Sequence, residues 1–312
     1  MPDIVVMFFM LGVVAGLLRS DLSIPKAAYD ILSLLLMLTI GLKGGMAVYG
    51  NLHWSLLINL AVIACVGGLI PFVLRPILQR LVGFNGANAS SIAAHYGSVS
   101  AGTFAVALAY VESHQLIADA TVTLYLVMLE LPAIIVAIAL YKGANKTGES
   151  NSKLWHETLT NRGIVLLTGG LIIGFLYGPR EGSAVTDLFI HSFQAILAIF
   201  LLEMGLTAAD TLRPFPTDKW RAALFAVIAP CVLGLVGLSL AAGLGMSLGT
   251  GVILAAMIAS ASYIAAPAAI RVAIPSADIG LAMLMSLGIT FPFNVIFGIP
   301  LYHALASQTG LF

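Results

Sequence analysis

The hydrophobic positions of this chain neither alternate nor form stripes. They run together in blocks of roughly 20 residues, the length at which an α-helix crosses the ~30 Å hydrocarbon core of a bilayer. A window of about 19 residues places ten such blocks, at roughly 4–18, 30–49, 54–79, 86–110, 116–141, 162–178, 184–208, 219–242, 248–271 and 279–305. No period-two alternation runs through them, which argues for helices and against a β-barrel. The markedly polar stretch runs from Lys142 to Arg162 and holds Asn145, Lys146, Glu149, Ser150, Asn151 and Lys153. It predicts a first unit over 1–141, a linker over 142–161 and a second unit over 162–312, with five blocks in each unit.

Polar residues inside the blocks recur at matching places in the two units. Ser98-Val99-Ser100-Ala101-Gly102-Thr103 in the fourth block corresponds to Ser260-Ala261-Ser262-Tyr263 in the ninth. Further on, Glu130-Leu131-Pro132 corresponds to Thr290-Phe291-Pro292. An odd number of spans per unit makes the second enter the membrane in the opposite sense to the first. The expected fold is therefore an all-α integral membrane protein with ten transmembrane helices in two inverted five-helix repeats, whose fourth and ninth spans break and cross at the bilayer centre. Prolines at 71, 76, 132, 267, 292 and 300 free further backbone groups, which neighbouring helices must satisfy.

Composition agrees. Hydrophobic residues make up 60% and charged ones 9%, with mean hydropathy +1.04, whereas soluble domains carry about 25% charged residues. The formal net charge is zero, so no basic face is available for nucleic acid. Arg19, Lys26, Arg75, Arg80, Lys142, Lys146, Lys153, Arg162, Arg213, Lys219, Arg221 and Arg271 fall on one side of the predicted membrane; Arg180 falls on the other and Lys43 inside it. The positive-inside rule makes the crowded side cytoplasmic, with both termini outside and the linker inside. Met1-Pro2-Asp3 lacks a basic n-region, so the first block reads as a span and not as a cleavable signal. Cys65 and Cys231 read as inert packing residues in apolar runs. No His-x-x-x-His pair, nucleophile with a base or phosphate-cradling loop points to an enzyme.

Crossed breaks would expose helix N-terminal amides, which carry partial positive charge and attract a small anion. The hydroxyls of Ser98, Ser100, Thr103, Ser260 and Ser262 add donors, and their lone pairs, with freed carbonyls, suit a hard cation such as sodium. Close helix packing explains one run of small residues. Two runs at equivalent positions, each paired with a proline-bearing polar span, point to a site.

Lys43, Glu130 and Glu203 also need explaining, because an unpaired charge in the membrane costs at least about 2.5 kcal/mol. Glu130 is the candidate cation ligand or protonatable group. Lys43 and Glu203, on equivalent spans, read as structural, either paired with each other or reaching to the interface. His95 reads as a structural histidine, and Arg271 and Asp278 as interface charges flanking a turn.

These residues resemble the sodium-dependent bicarbonate transporters of cyanobacterial type, which are also widespread in other bacteria. The resemblance covers nearly the whole chain and is strongest at Gly41 to Met46 (GLKGGM), Gly97 to Thr103 (GSVSAGT), Met128 to Ala133 (MLELPA) and Ser260 to Pro300. It implies a gate domain and a core domain, an elevator-type displacement, a homotrimer in the bacterial inner membrane, and regulation by a PII-like cytoplasmic protein. It implies bicarbonate held by Ser98, Ser100, Ala101, Gly102, Thr103, Ser262, Ile264, Ala265 and Ala266. Sodium is implied near Ser98, Glu130, Ser260, Ser262, Tyr263 and Thr290. Cyanobacterial members carry aspartate where this chain has Glu130 and Tyr263, and their linker is much longer. A tyrosine, with a reference pKa of about 10, offers no anionic oxygen at neutral pH. Weaker sodium binding, proton coupling through Glu130 and a different small organic anion all stay open, as does a membrane sensor that binds an anion without moving it.

Overall fold

The structure, a computed structural model, describes residues 4–50, 53–145, 160, 162–212, 219–310 and 312. Its helices are α1 (Ile4–Leu17), α2 (Lys26–Val48), α3 (Trp54–Ile77, prolonged by a π turn over Leu78–Val82), α4 (Gly86–Gly97), α5 (Ala101–Ser113) and α6 (Val122–Asn145). They continue as α7 (Arg162–Glu181), α8 (Ser183–Thr211), α9 (Trp220–Gly243), α10 (Leu248–Ile258), α11 (Ala265–Ala273) and α12 (Ile279–Thr309). No strand occurs among the described residues.

Seven helical runs are long and apolar enough to cross a membrane: 26–48, 54–82, 86–113, 122–143, 185–211, 220–243 and 279–309. The other predicted blocks are also helical but fall short of that measure. α1 has 14 residues and α10 has 11, and α7 kinks where Gly178 takes φ 62° before Pro179. The block expected from 116 begins as helix only at Val122. Before it, the Asp119 amide donates to Thr250 Oγ1 (2.7 Å) and the Ile117 carbonyl accepts from the Gly249 amide (2.9 Å), which ties 116–120 as a loop to the start of α10. Pro132 leaves α6 continuous. In α12 the prolines sit beside π turns over Leu284–Thr290 and Asn294–Gly298, where the wider winding accommodates their missing N–H groups. The predicted linker lies mainly outside the described residues, and α6 runs on to Asn145. Cys65 lies exposed on the surface of α3, contrary to its expected packing role, and Cys231 is half-buried.

The helices pack as two groups. In the first, α1 lies against α8 and α2 against α7, so each pair joins one helix from each half of the sequence. Glycine makes both crossings close. A Cβ on Gly12 would overlap the Leu202 carbonyl oxygen, and one on Gly205 would overlap that of Phe9. A Cβ on Gly45 would overlap the Leu171 carbonyl oxygen, and one on Gly174 that of Leu42. Gly12/Gly16, Gly41/Gly45 and Gly170/Gly174 are each spaced four apart, the small-residue pattern that lets helix backbones touch where lipid supplies no hydrophobic drive.

The second group contains α3 to α6 and α9 to α12, in which α3 packs on α4 and α6, and α9 and α12 pack on α10. Its interior includes a small apolar cluster formed by Ala87 and Ala94 of α4, Ile134, Ala137 and Ile138 of α6, and Ala265, Ala266, Ala269 and Ile270 of α11. That cluster draws the two interrupted helices and α6 together.

Candidate functional site

Both interruptions fall where the hydroxyl-rich runs predict them. α4 ends at Gly97, the chain is extended at Ser98 (φ −79°, ψ 169°) and Ser100 (φ −95°, ψ 115°), and α5 starts at Ala101. α10 ends at Ile258, and α11 starts at Ala265. The two gaps bind each other. The Ser100 amide donates to Ser260 Oγ (2.8 Å), and the Ser262 amide donates to the His95 carbonyl (2.7 Å). Buried backbone groups freed by a break need such partners. The remaining ends are capped locally: Ser100 Oγ accepts from the Thr103 amide (3.1 Å), Ser262 Oγ from the Ala266 amide (3.2 Å), and Ser260 Oγ donates to the Met257 carbonyl (2.7 Å).

Ser98, Ser100, Thr103, Ser260 and Ser262 are therefore brought together, all buried to 3% exposure or less. They differ in what is left to them. Ser260 Oγ bonds across the two breaks and Ser100 Oγ and Ser262 Oγ cap their own helices, whereas Ser98 Oγ and Thr103 Oγ1 are buried without a hydrogen-bond partner among the described residues. Ser91 Oγ and His95 Nε2 are unpartnered as well, although His95 Nδ1 bonds to the Ser91 carbonyl (2.7 Å). Residues 91 and 95 lie on one face of α4 by helical spacing, and Ser98 follows at its C-terminal cap. Such groups cost about 1–3 kcal/mol each when left without a partner in a dry interior.

Glu130 is buried at 5% exposure and forms no ion pair among the described residues. It sits one turn before Ala133, whose Cβ abuts Gly97 at the lip of the first break, and two helical steps before Ala137 of the cluster shared with Ala94 and Ala266. Thr290 stands apart from this set: its hydroxyl donates to the Ala226 carbonyl (2.7 Å) and bonds to Tyr96 OH (2.7 Å). Tyr263 turns its ring toward α5, and its hydroxyl lies directly against Gly102. Ala101, Gly102 and Ile264 line a narrow crevice of about 10 Å³, room for about one water, whose other wall is Ser33, Leu36, Met37 and Ile40 of α2 with Phe200 of α8. The site thus faces the seam between the two helix groups.

Lys43 and Glu203 do not pair. Lys43 Nζ lies 3.0 Å from Glu112 Oε1 and 4.9 Å from the centre of the Phe193 ring. Glu203 is ten residues beyond Phe193 on α8, roughly 15 Å along the axis, in a polar cavity with Arg19, Ser23 and Asp210. Asp278, expected as an interface charge, caps α12 by accepting from the Leu281 amide (2.9 Å) and lies 3.5 Å from Lys219.

Sequence reasoning missed Asn294. Its Nδ2 donates to the Ala259 carbonyl (2.9 Å), freed where α10 stops, and its Oδ1 accepts from Tyr302 OH (2.9 Å). A fully buried asparagine in the middle of an apolar block was a legible signal of such a role.

No group of three or more His, Cys, Asp or Glu side chains placed to hold a metal occurs among the described residues. The donors at the crossing are hydroxyls, amides and carbonyls, with Glu130 close by in the fold, and this chemistry suits a weakly held monovalent cation and a small anion. Comparison with curated proteins yields no match. A family profile described as the Na+-dependent bicarbonate transporter superfamily matches residues 4–307. Seven apolar helices and that match make the chain a multi-pass membrane protein. A match over nearly the whole length, with the crossed breaks lying inside it, places this chain in the Na+-dependent bicarbonate transporter superfamily.

Proposed function

We propose that the protein is a sodium-coupled symporter that takes bicarbonate into the cell by alternating access. The observation that carries this reading is the mutual bonding of the two breaks, Ser100 to Ser260 and Ser262 to His95, beside hydroxyls that keep unused hydrogen-bonding capacity. In the proposed arrangement the α5 N-terminus and the hydroxyls replace the hydration shell of the anion. Sodium is held by Ser98, freed carbonyls and Glu130. Binding both ions at one seam lets the sodium gradient bias the conformations in which bicarbonate is released.

The rest of the proposal is architectural. It comprises ten spans in two inverted repeats, both termini outside the bacterial inner membrane, and movement of the broken-helix group against the glycine-packed group as an elevator. The exchange of partners between halves, α1 with α8 and α2 with α7, supports the repeat. A homotrimer and a PII-like cytoplasmic regulator belong to it on resemblance alone.

The deciding experiment is uptake of labelled bicarbonate into proteoliposomes under an inward sodium gradient, set against an equal potassium gradient at fixed pH. Uptake with sodium alone is expected. Uptake with either cation, or with neither, refutes sodium symport of bicarbonate, and displacement of the label by acetate or pyruvate points to an organic acid instead.

A further inference from the structure

Tyr263 is the largest side chain in either break, and its ring stands at the end of an aromatic ladder. It meets Phe291 edge-on (centroids 5.3 Å apart, 73°), and Phe291 meets Phe9 of α1 in the same manner (5.5 Å, 83°). This ladder aims the phenol oxygen at the first turn of α5. A Cβ on Gly102 would overlap that oxygen, so glycine is what admits the hydroxyl there. The hydroxyl is buried and meets no hydrogen-bond partner at bonding geometry among the described residues.

The groups converging on this point are donors. In the first turn of α5 the Thr103 amide is taken by Ser100 Oγ, while the amides of Ala101 and Gly102 have no intrahelical acceptor. The helix dipole adds partial positive charge at the same end. α11 offers less, because its Ala266 amide is capped by Ser262 Oγ and Pro267 has no N–H. The two breaks are therefore unequal, and a negatively charged oxygen is best matched at α5, between the Ala101 and Gly102 amides and the phenol O–H. The crevice bounded by Ala101, Gly102 and Ile264 opens beside this point.

We propose that Tyr263 reads the transported anion: its hydroxyl donates a hydrogen bond to a small oxyanion seated on the α5 N-terminus, so the residue serves the anion and not the cation. The inference rests on the transport reading above and assigns one side chain within it. A phenol reaching across to α5 also limits the space over Gly102, which favours compact monovalent oxyanions over longer carboxylates.

The test measures labelled bicarbonate uptake by the full chain in proteoliposomes, varying bicarbonate at saturating sodium and sodium at saturating bicarbonate, for wild type and Tyr263→Phe. Loss of a hydrogen bond to a charged oxygen predicts a half-saturating bicarbonate concentration raised roughly tenfold to a hundredfold, with half-saturating sodium unchanged. Gly102→Ala, which displaces the hydroxyl without removing it, should act in the same direction, and its effect should shrink in the Tyr263→Phe background, where the oxygen it would meet is gone. A rise in half-saturating sodium with bicarbonate unaffected assigns Tyr263 to the cation and overturns the proposal, as does no change in either. Wild-type protein that takes up no bicarbonate under a sodium gradient overturns the transport reading and this inference together, whereas an active wild type with an indifferent Tyr263→Phe overturns only the inference.

Discussion

The two helix groups solve the problem of folding in lipid in opposite ways. The group of α1, α2, α7 and α8 has uninterrupted helices at its contacts and brings backbones together over glycine, so its stability lies in dispersion contacts between smooth surfaces. The group holding α4, α5, α10 and α11 interrupts two helices and satisfies the freed backbone with serines, Asn294 and the partner break. Among the described residues it then keeps Ser98 Oγ, Thr103 Oγ1 and His95 Nε2 unpartnered, which stability alone would not favour. The contrast is one of degree, since Glu203 Oε2 on α8 of the first group is also buried without a partner among the described residues, and the clustering of such groups beside the breaks is what supports the proposed site there.

The sharpest way to break this contrast is to widen a glycine crossing. Gly170→Leu would drive a side chain into the Leu38 carbonyl oxygen and Gly41, both backbone, whereas the adjacent Gly169 faces open space. Gly170→Leu is expected to abolish a monodisperse folded peak in detergent, and Gly169→Leu to leave it intact. Equal behaviour of the neighbours would mean that the α2/α7 contact contributes little.

A smaller effect separates structural from binding polar groups within the broken-helix region. Asn294→Leu strands the Ala259 carbonyl and should lower stability by about 1–3 kcal/mol, seen as a melting temperature several degrees lower. Ser98→Ala removes a hydroxyl with no partner, so the melting temperature should hold or rise slightly while sodium-driven uptake falls roughly tenfold. If Ser98→Ala instead destabilises the protein without affecting uptake, the unused-capacity argument fails.

The smallest effect is expected where the groups meet. Of the three ion pairs among the described residues, Arg162–Asp30 lies inside the first group and Lys219–Asp278 inside the second, while Lys43–Glu112 joins them. Both of its side chains are partly exposed, at 24% and 40%. Glu112→Gln should therefore cost no more than about 1 kcal/mol, and the difference in melting temperature from wild type should vanish at ~1 M salt.

The sequence was most readable where one residue type had one physical reason to be present. Hydroxyl-rich runs inside apolar blocks located both breaks correctly, because a helix crossing lipid has few other causes for such clusters. The glycines at 12, 16, 41, 45, 170, 174 and 205 were equally visible but were not read as paired surfaces, since their meaning depends on the facing helix. Partner choice was the weakest point. Lys43 was weighed against Glu203, on an equivalent span, but its partner is Glu112, which lies on a helix the linear order does not place beside α2.

What the sequence determined alone was the class of protein, most of the helical blocks and the places along the chain where two of them break, because each follows from local hydrophobicity and backbone chemistry. Only the tertiary structure decided that Ser100 meets Ser260, that the Tyr263 hydroxyl lies on Gly102, and that Glu130 has no cation beside it among the described residues. Those are relations between segments more than a hundred residues apart or between one buried charge and all its neighbours, and in a bilayer, where every apolar face is equally content with lipid, shape and hydrogen-bond complementarity select the neighbours.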